Sequence, residues 1–332
     1  MQKSILLIGG AGYIGPIVAE ELLNDGHDVT VLDSLIYKNR FAIEGLLQNT
    51  NFRFINGDMG NTSDLTKALE GTSDAVILAG LVGDPITKAY PREAKIINEI
   101  ATKRCIKTLA NSQLDRVIFI STCSNYGFVP DNVLASELHP TQPLSLYAKS
   151  KVDIEHFLLS MAEKSKFYPT ILRFATAFGV APRMRFDLTV NEFVKEMKLA
   201  RRLLVFDADT WRPYCHVRDF ANTIRLVLNA PKEIVSGEIF NAGSEINNFT
   251  KRQLVKLISK HLPKANVEFK DDGNDPRNYQ VDFSKIRDLL GFIPKYTVEM
   301  GILEVMTYID SQGLVFDGTN KNLYGNYILE TK

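Results

Sequence analysis

The chain has 332 residues, 45% hydrophobic and 23% charged, with 39 basic residues balanced by 39 acidic ones. That length can bury a large core in one large or two closely joined domains, and zero net charge excludes the electrostatic footprint of a nucleic-acid or membrane-surface binder. Cys105, Cys123 and Cys215 are too scattered for a disulfide framework or metal site, and no apolar run approaches the roughly 20 residues of a membrane span, so a cytoplasmic location is expected.

Taken in chain order, "SILLIGG" (4–10) reads as a strand, 14–25 as a helix, and "DVTVLDS" (28–34) and "FRFINGD" (52–58) as strands. A helix over 63–70 follows, then a strand "DAVILAG" (74–80), a helix over 92–112, a strand "RVIFIST" (116–122), a helix over 147–164 and a strand "PTILRFA" (169–175). Such alternation predicts an α/β fold, a doubly wound parallel sheet of the Rossmann type with helices on both faces.

The first strand runs into Gly9, Gly12 and Gly15, spaced Gly-x-x-Gly-x-x-Gly. A turn this tight needs residues without Cβ, so that backbone amides can approach a diphosphate at the helix N-terminus. Asp33 ends the second strand about 20 residues on, where a carboxylate accepts hydrogen bonds from an adenosine ribose, and with no basic residue directly after it NAD is expected rather than NADP. Asp58, at the end of the third strand, either reaches the adenine amino group or is a solvated loop residue.

"LYAKSKVDIEHF" (146–157) places Tyr147 and Lys151 one helical turn apart on one face. A tyrosine is a poor base at neutral pH, and a fixed cation beside it favours the phenolate. The spacing alone leaves open a catalytic pair or two neighbours on a surface helix.

Beyond Gly179 the pattern changes. Residues 180–202 are basic with a helical middle, 202–207 read as a strand, 211–228 as strand then helix, 240–244 as a strand and 250–262 as a helix. The Gly- and Asn-rich tail from about 311 is expected to drape over the surface. His216, inside an apolar strand, reads as a packed structural residue, and His27, His139, His156 and His261 show no ligand spacing, so no metal is expected.

With "GGAGYIG" (9–15), Asp33, "NGDM" (56–59), "LAG" (78–80), Asn98, "ISTCSNYG" (120–127), "YAKSK" (147–151), "LRFATAFG" (172–179), "WRPYCHVRD" (211–219) and "DPRNYQVD" (275–282) in this order, the chain resembles the extended short-chain dehydrogenase/reductase family. The likeness is to its nucleotide-sugar epimerase/dehydratase branch and covers nearly the whole chain. It implies an NAD-binding domain over 1–179, with 213–240 returning to it, and a smaller α/β substrate lobe over 180–212 and 241–332. It implies that Tyr147 is the acid/base on a sugar hydroxyl, that Lys151 lowers its pKa and holds the nicotinamide ribose, and that Thr122 bridges the reacting oxygen. Cofactor contacts are implied for Gly9, Gly12, Tyr13, Ile14, Gly15, Asp33, Asp58, Met59, Leu78, Ala79, Gly80 and Asn98, besides Tyr147 and Lys151. Substrate contacts are implied for Ser124, Thr176, Asn191, Arg212 and Arg277, with Arg183 and Arg185 as nearby candidates; planar guanidinium groups suit a diphosphate.

The departures narrow the chemistry. Sugar 4,6-dehydratases of the family follow the threonine with Asp-Glu, whereas Cys123 and Ser124 stand here, so the groups that eliminate water are missing. Cys123 reads as a small buried side chain. Pro16 removes one amide near the diphosphate, "LAG" stands where alanine is usual, and Glu99 follows Asn98 where a small residue is common. The expectation is an NAD-dependent oxidation of a nucleotide-diphosphate sugar at carbon 4 by an epimerase or dehydrogenase, acting as a homodimer. The "PRMRFDL" loop suggests surface-polysaccharide sugars, a GDP-heptose among them. The alternatives are a 4-ketoreductase and a non-catalytic NAD-binding regulator.

Overall fold

Ile5, Leu6, Leu7 and Ile8 are all buried, as a strand covered on both faces requires. They belong to β1 (Ser4–Ile8), the centre of a sheet in a computed structural model that describes residues 2–271, 273, 275–312 and 321–329. With β2 (Asp28–Asp33), β3 (Phe52–Asn56), β4 (Asp74–Ile77) and β5 (Arg116–Thr122), the order across the sheet is Glu238–Ala242, Tyr168–Phe174, β5, β4, β1, β2, β3. Every pairing is parallel. The chain reverses its direction of travel across the sheet between β1 and β4, and ligands bind outside the carboxyl ends of strands at such a point.

The expected strands fall within one to three residues of those observed. Helix α1 (Gly15–Asn24) carries Pro16 in its first turn, where no amide bond is lost to the helix. The helix expected over 92–112 is instead Pro91–Ala94, a π-helical stretch Lys95–Ala101 and Thr102–Ala110. Periodicity cannot register a one-residue insertion in a turn, and such turns recur at functional sites. Ser145 caps the helix Leu146–Ala162 by accepting from the Ala148 amide at 3.2 Å.

A second core, built from Phe178, Phe186, Val190, Leu203, Leu254, Ile302 and Val305, underlies the smaller lobe. There the strand Trp211–His216 pairs with Thr176–Phe178 and Asn248–Thr250 in a separate three-stranded sheet. The helix Val217–Asn229 returns to pack on α1, and Glu238–Ala242 extends the main sheet.

The described part of the tail lies over the surface as expected, with Leu323, Tyr327 and Ile328 exposed, and is pinned where the Tyr324 carbonyl accepts from the Phe186 amide and Leu329 packs with Tyr37, Leu81, Ile86 and Ala94. Residues 313–320 and 330–332 of that expectation lie outside the described residues.

Candidate active site

The three glycines divide one task. Gly9 turns at φ +82°, and a Cβ there would lie 2.5 Å from the Ala79 Cα; a Cβ on Gly15 would lie 2.3 Å from the Gly10 carbonyl oxygen. A Cβ on Gly12 meets only the Gly9 carbonyl at 3.6 Å, so the loop is open there. Tight turn, open cradle and close helix contact are the requirements of a diphosphate loop. Asp33 completes it, accepting from the amides of Ala11 at 3.0 Å and Leu35 at 2.8 Å. Burial pushes its carboxyl up, opposed by those amides and the Arg183 guanidinium. These residues fit NAD. Gly12→Ala is therefore expected to melt like the parent while binding NAD at least tenfold more weakly by titration, whereas Gly9→Ala, strained at positive φ, loses stability first.

The remaining expected cofactor residues surround this loop. Ile14 opens α1, its carbonyl accepting from Ile17 and Val18, and the Tyr13 hydroxyl donates to the Gly179 carbonyl at 2.5 Å. Asp58 is exposed, one oxygen held by the Gly60 amide at 2.7 Å, beside buried Met59. The Leu78 and Ala79 amides both donate to the Ile8 carbonyl. Asn98 Oδ1 accepts from the Leu81 amide at 2.7 Å and its Nδ2 donates to the Leu81 carbonyl at 3.0 Å, so it shapes the segment after Gly80 and keeps one N–H free to donate.

At the end of β5 the Thr122 hydroxyl accepts from the Ser124 amide at 3.1 Å, which leaves its proton to donate. Lys151 is buried, donates to the Ile120 carbonyl at 2.7 Å, and lies 5.8 Å from the Tyr147 ring centroid, over its face. The expected lowering of the phenol by Lys151 is not what the geometry gives. Burial pushes the Tyr147 hydroxyl well above its ordinary value, Asp84 adds to the rise, and Arg185 is the cation that opposes it. The Lys151 ammonium is anchored beneath the ring rather than at the oxygen, and burial pushes it down to about 8 against the Glu155 carboxylate.

A charged cluster faces this pair. Arg277 binds Asp275 through Nε and Nη2, both at 2.7 Å, and pairs with Asp84 through Nη1. Arg212 donates to Asp275 at 2.9 Å and to the Arg277 carbonyl at 2.6 Å, and its guanidinium lies over the Tyr279 ring. The Tyr279 hydroxyl meets Ser124 Oγ at 3.1 Å. Thus Ser124, Arg212 and Arg277 come together with Thr122 and Tyr147, and Thr176 is half-buried on a strand beside Tyr214.

Three expected substrate contacts sit elsewhere or are already engaged. Asn191 is fully buried, its amide shared among Tyr13, Gly179 and Arg185, and so ties the glycine loop to the lobe. Arg183 is 2% exposed, stacked 4.8 Å over Tyr37 and held by Asn322, Gly325 and Asn326, at the Asp33 end of the cleft. Arg185 is clamped by Asp187 at 2.6 and 2.7 Å. The partners of Arg183 lie 139 to 143 residues on, so its own polarity could not reveal them, whereas Asp187 stands two residues from Arg185.

Asp84, Asp275 and Tyr279 were missed. The only signal was the two-residue spacing of Asp275, Arg277 and Tyr279, which puts alternate side chains of an extended segment on one side. Burial pushes the Cys123 thiol well above its usual range, so it is no nucleophile. His216 is fully buried, stacked on Tyr296 and 2.7 Å from Glu304. Among the described residues, no three His, Cys, Asp or Glu side chains are grouped to hold a metal, and no helix is long and apolar enough to cross a membrane. Two surface hollows, one lined by Ser4, Asp28 and Arg53 and the other by His27 and Arg225, open at the amino ends of the strands, away from this site.

The comparisons agree with this geometry. The model of the NAD dependent epimerase/dehydratase family matches residues 5–243. A UDP-glucose 4-epimerase of Corynebacterium glutamicum is 28% identical over 90% of this chain and 93% of its own, and an uncharacterized UDP-glucose epimerase, YtcB, of Bacillus subtilis is 30% identical over 92% and 98%. The crystal structure of UDP-glucuronic acid 4-epimerase from Bacillus cereus, in complex with UDP-glucuronic acid and NAD, superposes with a TM-score of 0.84 at 27% identity, covering 93% of this chain and 99% of that one. With the glycine turn, Asp33 and the Tyr147–Lys151 pair in place, the chain belongs to the NAD-dependent epimerase/dehydratase family of enzymes.

Proposed function

We propose that this protein oxidises a hydroxyl of a nucleotide-diphosphate sugar, at carbon 4, to a ketone, as a 4-epimerase or 4-dehydrogenase. The observation that carries the reading is the convergence of Thr122, Ser124, Tyr147 and Tyr279 hydroxyls with Arg212 and Arg277 at the carboxyl edge of the sheet, beside the glycine cradle. In this reading residues 1–179 and 213–240 serve the cofactor, and the rest of the chain serves the sugar nucleotide.

Bound NAD supplies the hydride acceptor and a cationic nicotinamide. Tyr147 takes the proton of the sugar hydroxyl as phenolate and returns one as phenol, and Thr122 donates to the same oxygen. Lys151, anchored beneath the Tyr147 ring by the Ile120 carbonyl, holds its ammonium under the site. Arg212 and Arg277 exchange Asp275 for the diphosphate, a bidentate partner of the same charge type. Dehydration is disfavoured, since Cys123 and Ser124 supply no carboxylates. The second reading is a 4-ketoreductase, in which the same Tyr147 hydroxyl begins by giving a proton up.

Product analysis by NMR after incubation with UDP-glucose and with GDP-linked sugars, a heptose included, tests the reading. A 4-epimer or a 4-keto sugar is expected, and a product that has lost water would contradict it. The "PRMRFDL" loop supports sugars of surface polysaccharides, a GDP-heptose among them. A homodimer through the helices at 91–110 and 146–162 belongs to the same proposal, supported by Ile96 and Ile100, which stand 46% and 48% exposed on the first of them. Light scattering is expected to give twice the 37.3 kDa chain mass, and a monomer at working concentration would contradict it.

A further inference from the structure

The proposed mechanism gives Asp84 no role. It opens the short helix Asp84–Ala89, which packs on the helix of Tyr147 and Lys151. One carboxylate oxygen pairs with Arg277 Nη1; the other, Oδ1, is buried and has no hydrogen-bond partner among the described residues. An unpartnered buried carboxylate oxygen costs more than its bond would return, unless a ligand completes it. Through Arg277 this carboxylate belongs to the charged cluster of Arg212, Asp275 and Tyr279, on a helix packed against that of Tyr147.

Resting on the nucleotide-sugar reading, we propose that Asp84 is a specificity-determining residue: its free oxygen accepts hydrogen bonds from hydroxyls of a neutral sugar and turns away a sugar bearing a carboxylate. The charges around it agree. Arg277 already holds Asp84 and Asp275, Arg212 holds Asp275, and Arg185 holds Asp187. Each of these cations has a carboxylate in place before a diphosphate arrives, so a uronate would bring a further negative charge against Asp84. Rejection by like charge is as effective a device as attraction of the right partner.

The test uses the NAD-loaded full chain and calorimetric titration with matched pairs, UDP-glucose against UDP-glucuronic acid and GDP-mannose against GDP-mannuronic acid. The parent is expected to bind the neutral member of a recognised pair at least about tenfold more tightly. Asp84→Asn should narrow that ratio to about threefold or less, chiefly by admitting the uronate. It should also move the rising limb of the oxidation rate profile, along which Tyr147 ionises, to lower pH, because the charge that disfavours the phenolate is gone. Equal affinities in the parent, or a ratio unchanged in Asp84→Asn, would overturn the proposal. Asp84→Ser gives the same comparison if the asparagine variant folds poorly. Binding without discrimination sinks the inference alone, whereas no binding of either pair sinks the nucleotide-sugar reading with it.

Discussion

Replacing Tyr147 with phenylalanine is expected to lower kcat by about 10³-fold, the usual scale for removing a positioned acid/base, while NAD stays bound and the melting temperature holds. The ring keeps its place over Lys151 and its packing, and only the hydroxyl is lost. Since the proton transfer occurs in the transition state, kcat and kcat/KM should fall together. Stopped-flow kinetics with the native substrate reads this directly. Retained activity within a few-fold of the parent would mean that Tyr147 is only a neighbour of Lys151.

The largest stability effect is expected about two turns beyond Tyr147 on the same helix. Glu155 is 1% exposed and binds Arg173 at 2.7 and 3.1 Å, besides Asn125 at 2.8 Å and the Ser121 hydroxyl. Arg173 in turn donates to Tyr126, which donates to Asn241. Removing one partner of a buried ion pair strands the other, so Glu155→Ala is expected to cost about 3–5 kcal/mol, seen as a lower urea midpoint at unchanged slope. The double variant Glu155→Leu, Arg173→Met should lose less than the sum of the single changes, because no charge is left unpaired. Glu155 also sustains the charge of Lys151. In Glu155→Gln the ammonium therefore gives up its proton at a lower pH, and the alkaline fall of kcat/KM should move down from the region of pH 8. An unmoved limb would show that Glu155 serves the fold alone.

Much of the fold was legible because a parallel sheet buried on both faces writes itself as continuous apolar strands such as Ile5–Ile8 and Val117–Ile120. The glycine loop was legible for the same reason that it works, since Gly9 and Gly15 sit where no Cβ fits. What could not be read is long-range pairing. Asn98 and Asn191 were expected to touch ligands; Asn98 also binds the Leu81 backbone, and the Asn191 amide is shared among Tyr13, Gly179 and Arg185. Arg183, a nearby candidate for the substrate, lies with Tyr37 and the returning tail, 139 residues on at Asn322. The π turn around Asn98 and the free oxygen of Asp84 arise from packing that no local pattern encodes.

The central claim is that residues around Tyr147 draw a hydride and a proton from a sugar. Its most direct test is to mix the NAD-loaded protein with UDP-, GDP- and dTDP-sugars, heptoses included, and to follow reduced nicotinamide by absorbance while mass spectrometry follows the sugar. The account predicts, for at least one of them, either reduced nicotinamide with a sugar lighter by two hydrogens or a new stereoisomer of unchanged mass. A protein that keeps its NAD oxidised and leaves every sugar nucleotide unaltered would contradict it.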